Sequence, residues 1–352
     1  MGCQLPQVSL IEGPELDVRL DAVNQLLVAS QTSSLTRDPR WLLIFRDAMK
    51  HRVFLLTATI QQEIVGFLPL VLMKSWLFGN RLVSLPYVNT AGVLTRIPEL
   101  QQLLVQQAME LADRLRVKSL ELRNEELVDV TDLTQPATQK VHMRLSLPAE
   151  TETLWKAFNP KVRNQIRKAE KNELTVRWGA LEELPAFYQV FSTNMRDLGT
   201  PVFSRKMFSR ILSTFPDAAE LCTVYKGMNP VASGLLLHGH GVTEVPSASS
   251  LREYNSTCAN MLMYWNMLKR AVERKQRVFD FGRSSPDSPT YQFKKQWGAQ
   301  AEAAAWQYYL RGGSTSDLRP DNPRFRLLIN TWKKLPLWLT RWIGPPIARV
   351  IP

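Results

Sequence analysis

The chain has 352 residues, of which 45% are hydrophobic and 22% charged, and its formal net charge is +12 at pH 7. This length allows two domains, because a single core rarely grows beyond about 100–200 residues, and no run of about 18 uncharged apolar residues predicts a membrane span. The positive charge predicts an anionic partner such as a nucleic acid, a phosphorylated intermediate, an acidic polysaccharide or an anionic membrane face.

The cysteines predict a reducing compartment. Cys3, Cys222 and Cys258 are odd in number and widely separated, so they indicate neither a disulfide framework nor a metal site. The first ten residues, MGCQLPQVSL, lack the basic and apolar regions of a signal peptide. We therefore expect a cytoplasmic protein without a bound metal.

The first half of the chain predicts a series of strands and helices. Two β-branched, apolar segments meet at Gln61-Gln62 and predict a hairpin. Strands are expected at 7–11, 52–60, 63–75, 81–95, 118–124 and 140–148, and helices at 14–30, 38–50 and 97–117.

The second half repeats this order. A basic helix at 153–173 comes first, and the helix that begins near residue 258 carries an apolar stripe. Strands are expected at 174–178, 219–227, 230–240, 242–250, 277–282 and 303–310, and helices at 181–198, 204–215 and 255–275. Strand, two helices, three-strand meander, helix and strand thus occur twice, which predicts a duplicated topology.

Three segments give this pattern a specific resemblance: FNPKVRNQIRKAEKNELTV, FDFGRSSPDSPTYQFKKQWGA and LVSLPYVNTAGVL. The chain resembles a tandem GNAT acyltransferase, and in particular the FemAB-like family in its branch associated with PEP-CTERM/exosortase and exopolysaccharide loci. The resemblance implies an α/β fold with two GNAT-like domains, each a mixed, largely antiparallel sheet flanked by helices. The expected divisions are 1–148, 149–312 and a basic, Trp-rich tail at 313–352.

The motif YQFKKQWG lies at the centre of the candidate site. In Fem-type peptidyltransferases a Phe-Lys pair before an aromatic-Gly pair lies in the acyl-transfer channel, and the resemblance gives this role to Phe293 and Lys294. A fixed cation would stabilise the oxyanion of acyl transfer. Tyr291 and Trp297 are candidate substrate contacts. Alternatively, Lys294 and Lys295 are surface charges of a helix that buries Phe293 and Trp297.

Two acidic residues are candidate general bases. Asp280 ends an apolar strand, where open α/β sheets place their ligands, and it could accept a proton or pair with Arg283, a candidate substrate contact. Glu244 lies where GNAT enzymes often hold a base. His238 and His240 are weaker candidates on the preceding turn.

The segment before the helix 258–275 bears on the acyl donor. GNAT enzymes bind the pyrophosphate of coenzyme A there through backbone N–H groups at the helix start. This chain offers Arg252 with Asn255, Ser256 and Thr257, but no glycine, so its backbone approaches a pyrophosphate less closely. The donor is either aminoacyl-tRNA or acyl-CoA, and no permanently bound cofactor is expected. Ser256 or Thr257 is also expected to cap the helix.

Two further basic segments predict anionic contacts. Arg163 and Arg167, on the helix 159–172, could hold phosphates of tRNA or of a lipid- or nucleotide-linked sugar, or could be solvated. In the tail, Trp332, Trp338 and Trp342 accompany basic residues, and no acidic residue occurs within 324–352. This composition is typical of a helix at a membrane interface, although the tail could instead fold onto a domain.

The sequence therefore predicts an acyl- or aminoacyl-transferase that modifies an amino or hydroxyl group of a cell-envelope or exopolysaccharide precursor. The second domain is expected to hold the reactive channel. Two rival interpretations stay open: a coenzyme A-dependent N-acyltransferase acting on an amino sugar, and a catalytically degenerate GNAT pair that serves as a binding module.

Overall fold

The computed structural model describes residues 6–28, 34–75, 79–136, 140–311 and 326–351. Cys3 and residues 312–325 of the tail lie outside these ranges. The chain forms two compact units. One contains residues 1–139, 303–320 and 349–352, and the other contains 140–302 and 321–348.

The first unit holds a sheet with the strand order β1-β2-β3-β4-β6-β14, with β5 also paired to β3. The predicted hairpin at Gln61-Gln62 is confirmed, and both residues have the positive φ angles of a tight two-residue turn. The elements are β1 (Gln7–Ile11), α1 (Glu15–Val28), α2 (Trp41–Met49), β2 (Arg52–Ile60), β3 (Glu63–Met73), β4 (Arg81–Val83), β5 (Leu94–Thr95), α3 (Glu99–Arg114), β6 (Ser119–Asn124) and β14 (Ala305–Leu310).

The second unit holds a sheet with the order β13-β7-β12-β11-β10-β9-β8. Its elements are β7 (Val141–Ser146), α4 (Thr151–Ala157), α5 (Pro160–Glu170), β8 (Leu174–Gly179), α6 (Leu184–Leu198), α7 (Arg205–Thr214), β9 (Ala219–Lys226), β10 (Asn229–Gly239), β11 (Val242–Ser250), α8 (Ala259–Glu273), β12 (Val278–Ser284), α9 (Pro289–Lys295), β13 (Gln300–Ala303), α10 (Arg326–Trp332) and α11 (Leu337–Ala348).

The duplicated topology is confirmed strand by strand. Five strands of each sheet correspond, and each sheet contains one parallel pair, β4 with β6 and β11 with β12. The expected α/β fold with two mixed, largely antiparallel sheets is therefore correct.

The sixth strand of each sheet departs from the expected divisions. Boundaries at 148 and 312 assign β7 to the first domain and β14 to the second. In the structure β7 pairs with β12 of the second sheet, and β14 pairs with β6 of the first. Both strands pair antiparallel to the strand that follows the parallel crossover, so each occupies the same place in its own sheet.

The tail also departs from the expected divisions, which placed residues 313–352 outside both domains. Helix α11 packs on α6 within the second unit. The contact uses small residues, since Gly344 lies against Val202, and Thr340 and Ala348 are buried.

Hydrophobic residues on α8 form the centre of the second core. The predicted stripe of Met261, Trp265, Leu268 and Val272 is confirmed, because all four side chains are buried. Phe279 and Phe281 of β12 pack into the same core. Because neighbouring strand residues face opposite ways, Asp280 between them points to the other face of the sheet.

Candidate functional site in the second unit

The second sheet opens between β11 and β12. Along their described length these strands pair at three positions, which end at Glu244 and Asp280. Beyond this point β11 continues to Ser250 beside β10, while β12 continues to Ser284 beside β7. The two central strands therefore diverge beyond Glu244 and Asp280.

A cavity of about 210 Å³ lies between the end of β11, the start of α8 and helix α9. Every residue that lines it is uncharged. The lining consists of Gln165, Ser250, Leu251, Tyr254, Asn255, Cys258, Ala259, Asn260, Met261, Phe293 and Gln296. Among the predicted substrate contacts, this lining includes Phe293.

The segment before α8 is a short 3-10 helix, residues 252–257. The expected cap by Ser256 or Thr257 is wrong: Cys258 is the N-cap residue, without a side-chain cap bond, and the Thr257 hydroxyl donates instead to the Tyr254 carbonyl, 2.7 Å away. Cys258 has φ +59°, a conformation that favours glycine. A side chain thus occupies the position where a phosphate-binding loop would expose bare backbone.

Phe293 and Trp297 occupy different depths. Phe293 is half-buried at the cavity and packs edge-on against Tyr264, with ring centroids 5.0 Å apart. Trp297 is buried in the core and contacts Phe158. The structure therefore assigns Trp297 to the support of the cavity wall. Tyr291 is half-buried, and its ring lies 6.0 Å from the Lys295 ammonium.

Lys294 is buried beside the divergent part of β12. Its Nζ donates to the carbonyls of Gly282 and Arg283, both 3.0 Å away. Burial lowers the pKa of Lys294 to about 8, although Asp280 opposes this shift. The surface-charge alternative fits the neighbouring Lys295, which is exposed, and does not fit Lys294.

Asp280 is held by Arg144, His142 and a backbone N–H group. Its Oδ2 lies 3.0 Å from Nε of Arg144 and 3.7 Å from Nδ1 of His142, and its Oδ1 accepts from the Gly282 N–H at 2.7 Å. Burial alone would raise the pKa of Asp280, but His142 and Arg144 outweigh it and hold that pKa below its usual value. The carboxylate is thus a charged partner of Arg144.

A second buried carboxylate, Glu244, lies beside Asp280. It is the register partner of Asp280 across the β11–β12 pair, and both side chains are about 1% exposed. Arg144 is in turn the register partner of Asp280 on β7. The structure therefore brings the two predicted bases together where the strands begin to diverge, and it adds Arg144, which the sequence analysis missed because β7 was assigned to the first domain.

The predicted phosphate contacts are not among the residues that line the cavity. Arg252 is exposed and donates to the Asp197 carbonyl, 3.3 Å away. The Arg167 guanidinium is 5.6 Å from the Trp155 ring, and Nε of Arg163 is buried. On the same helix it is Gln165 that reaches the cavity.

His238 is buried rather than solvated. Its Nε2 lies 2.9 Å from Glu220 and its Nδ1 lies 2.8 Å from Thr243. Burial lowers the pKa of His238, and Glu220, also bound by Arg270, opposes this shift. These contacts indicate a structural role. Within the described ranges, no cluster of His, Cys, Asp or Glu could hold a metal ion.

Comparison with known proteins identifies the domain that carries this site. Residues 156–295 match a family model described as an acetyltransferase (GNAT) domain. A search of curated protein sequences found no match. The chain therefore contains a GNAT acyltransferase domain, and the expected enzyme class, an acyltransferase, is confirmed.

Solved structures share the fold across both units. FemX is 15% identical, with a TM-score of 0.63 over 91% of this chain and 100% of its own. The C-terminal domain of a putative lysylphosphatidylglycerol synthetase from Agrobacterium fabrum is 10% identical, with a TM-score of 0.57 over 86% and 95% of the two chains. A tandem GNAT protein from the clavulanic acid biosynthesis pathway is 11% identical, with a TM-score of 0.52 over 88% and 100%. These similarities confirm the tandem GNAT, Fem-like fold.

Proposed function

We propose that the chain transfers an acyl group, most specifically an aminoacyl group from aminoacyl-tRNA, to an amino or hydroxyl group of a cell-envelope or exopolysaccharide precursor. The observation that carries the proposal is the opening of the second sheet beside an uncharged cavity at the start of α8. FemX and the C-terminal domain of the putative lysylphosphatidylglycerol synthetase have similar folds, and the second name refers to a lysyl group, which is an aminoacyl group. The exopolysaccharide branch and a cytoplasmic location rest on the sequence and stay predictions.

The cavity lining favours an aminoacyl group over a simple acyl chain. Oε1 of Gln165 is buried and has no hydrogen-bond partner among the described residues. An unsatisfied buried acceptor costs about 1–3 kcal/mol. Gln165 lines the cavity, and rotation of its side chain would let Oε1 accept from the α-amino group of a bound aminoacyl ester, a donor that an acetyl group lacks.

The side chain of Cys258 and the glycine-free 3-10 turn favour a donor other than coenzyme A. Close approach to a pyrophosphate requires exposed backbone N–H groups, and Cys258 adopts the left-handed conformation with a side chain attached. Arg163 and Arg167 stay proposed contacts for tRNA or acceptor phosphates, outside the cavity lining.

In the proposed reaction the acceptor amine or hydroxyl attacks the carbonyl carbon of the donor ester. The bond from that carbon to the ribose oxygen breaks, and the leaving ribose hydroxyl takes up the proton that the acceptor loses. A protonated Lys294 uses two of its three N–H donors on the carbonyls of β12. We assign the third to the oxyanion of the tetrahedral intermediate.

Native mass spectrometry and competition binding test the donor. The purified protein is incubated with aminoacyl-tRNA, uncharged tRNA, acetyl-CoA and nucleotide sugars. We expect aminoacyl-tRNA to bind more tightly than uncharged tRNA, because the aminoacyl group fills the cavity. Gln165→Leu should remove this preference, and Asn164→Leu, an exposed neighbour on α5, should keep it.

Other outcomes identify the rivals. Tight binding of acetyl-CoA would favour the coenzyme A-dependent enzyme. Equal binding of charged and uncharged tRNA would contradict the aminoacyl proposal, since any basic protein binds the phosphate backbone. Binding of a nucleotide sugar without turnover of any donor would favour the binding module.

A further inference from the structure

The C-terminal helix pair has two faces with opposite surroundings. On α11, Thr340, Gly344 and Ala348 are spaced by four residues and are buried, and Gly344 lies against Val202 of the second unit. Trp338 and Trp342, also four residues apart, are 68% and 74% exposed. Two residues correspond to about 200° around an α-helix, so the tryptophans lie opposite the packed stripe.

Further exposed apolar and basic residues lie on α10 and on the turn that joins it to α11. On α10, Leu327 and Leu328 are exposed, and the exposed Lys333 and Lys334 follow at the turn before α11. No acidic residue occurs from 327 to the end of the sequence. We define this docking surface as Leu327, Leu328, Lys333, Lys334, Trp338 and Trp342.

We propose that this docking surface binds the anionic face of a lipid bilayer. Large exposed apolar side chains rimmed by charge mark interaction sites, and tryptophan with lysine, free of acidic residues, is suited to lipid headgroups. A protein partner is less well matched, because protein interfaces are depleted in lysine. The proposal is independent of the acyl-transfer proposal, because binding is measured without any substrate.

The helix is suited to the headgroup region rather than to the hydrocarbon interior. Pro345 and Pro346 lie inside α11 and have no N–H, so they cannot bond the carbonyls of Arg341 and Trp342. Such carbonyls need water or lipid headgroups, which the bilayer interior lacks. Within the described ranges, no helix is long and apolar enough to cross a bilayer.

The second unit holds α11 in place. Nε of Arg341 donates to the Ser192 hydroxyl at 2.9 Å, and its guanidinium lies over the Tyr188 ring. Gly344 approaches Val202 so closely that a β-carbon would lie 3.0 Å from its side chain. The docking surface is therefore ordered before it meets a membrane, and binding does not require the helix to fold.

Vesicle sedimentation with the full chain tests the proposal. We expect the protein to sediment with vesicles of phosphatidylcholine and phosphatidylglycerol, to shift its tryptophan emission to the blue, and to be released by high salt. Trp338→Ala/Trp342→Ala should abolish the shift and weaken binding. Lys333→Gln/Lys334→Gln should weaken binding by about 25-fold, since each lysine near an anionic surface contributes about fivefold.

The matched control is Lys226→Gln/Lys275→Gln, which removes the same charge from exposed lysines outside the docking surface and should bind like the unaltered protein. Equal loss in this control, sedimentation with phosphatidylcholine alone, or no sedimentation would overturn the proposal. A dimer in light scattering that Trp338→Ala/Trp342→Ala dissociates, without vesicle binding, would also overturn it and assign the surface to a second copy. Circular dichroism checks that every variant is folded.

Discussion

At the scale of single residues, two adjacent lysines of α9 have opposite surroundings. Lys294 is 9% exposed and bonds two carbonyls of β12, whereas Lys295 is exposed beside Tyr291. A buried cation interacts more strongly with a developing oxyanion than an exposed one, because water screens it less. The pair therefore contains its own control.

We expect Lys294→Met to lower turnover by about 100-fold or more, the scale of removing an oxyanion donor. Lys295→Met should leave turnover nearly unchanged. The measurement is kcat with the donor found in the binding screen, taken well below the melting temperature of each variant. Similar activity of both variants would contradict the assignment of Lys294.

The lowered pKa of Lys294 predicts a dependence of stability on pH. The pKa of the unfolded lysine is near its ordinary value of 10.5, and the pKa of the folded one is about 8. Between these values the unfolded state binds more protons, so the free energy of unfolding rises with pH. Relative to Lys294→Met, the unaltered protein should gain at most about 3 kcal/mol from pH 8 to 10.5. Denaturant titrations at several pH values measure this gain, and a difference that stays constant would contradict it.

At the scale of elements, the irregular end of β12 connects Asp280, the neighbour of Glu244, to Lys294. The register with β7 shifts between Asp280 and Arg283, and Gly282 in that bulge has φ +77°. Its N–H donates to Asp280 and its carbonyl accepts from Lys294. The bulge therefore orients a carboxylate and an ammonium through the backbone of one residue, Gly282.

We expect Gly282→Ala to lower the free energy of unfolding by about 1–2 kcal/mol, the cost of a left-handed alanine, and to lower turnover because both contacts shift. Gly227→Ala is the matched control. Gly227 also has positive φ, and a β-carbon there meets no atom within 4 Å. Denaturation and kcat measure the two effects. A similar loss of activity in both variants would show that backbone strain, rather than the bulge, is responsible.

Local patterns predicted most elements because their signals are local. The apolar stripe of α8 and the Gln61-Gln62 turn each depend on residues within a few positions. The cavity was less predictable. Gln165, Tyr254 and Gln296 come from three separate elements, and nothing in their spacing shows that they meet.

At the scale of the molecule, the order of the strands along the chain does not match their division between the two sheets. Strand β7 joins the second sheet, and β14 joins the first. The sequence shows β7 and β14 as strands, but a strand pattern does not specify which sheet the strand joins. Assignment by order along the chain therefore placed both in the wrong unit. The same error hid Arg144, since the partner of Asp280 lies on β7.

The pairing of β7 with β12 predicts which fragments of the second unit fold. A fragment of residues 149–312 lacks β7, leaves an edge of β12 unpaired, and leaves Asp280 buried without Arg144. Removing one partner of a buried ion pair costs about 3–5 kcal/mol, a large part of a typical domain's stability.

A fragment of residues 140–348 restores β7 and retains the tail helices. We expect the longer fragment to melt cooperatively and the shorter one to be unfolded or aggregated. Circular dichroism and thermal denaturation distinguish them, and a cooperative transition in the fragment 149–312 would show that β7 is dispensable to the second sheet.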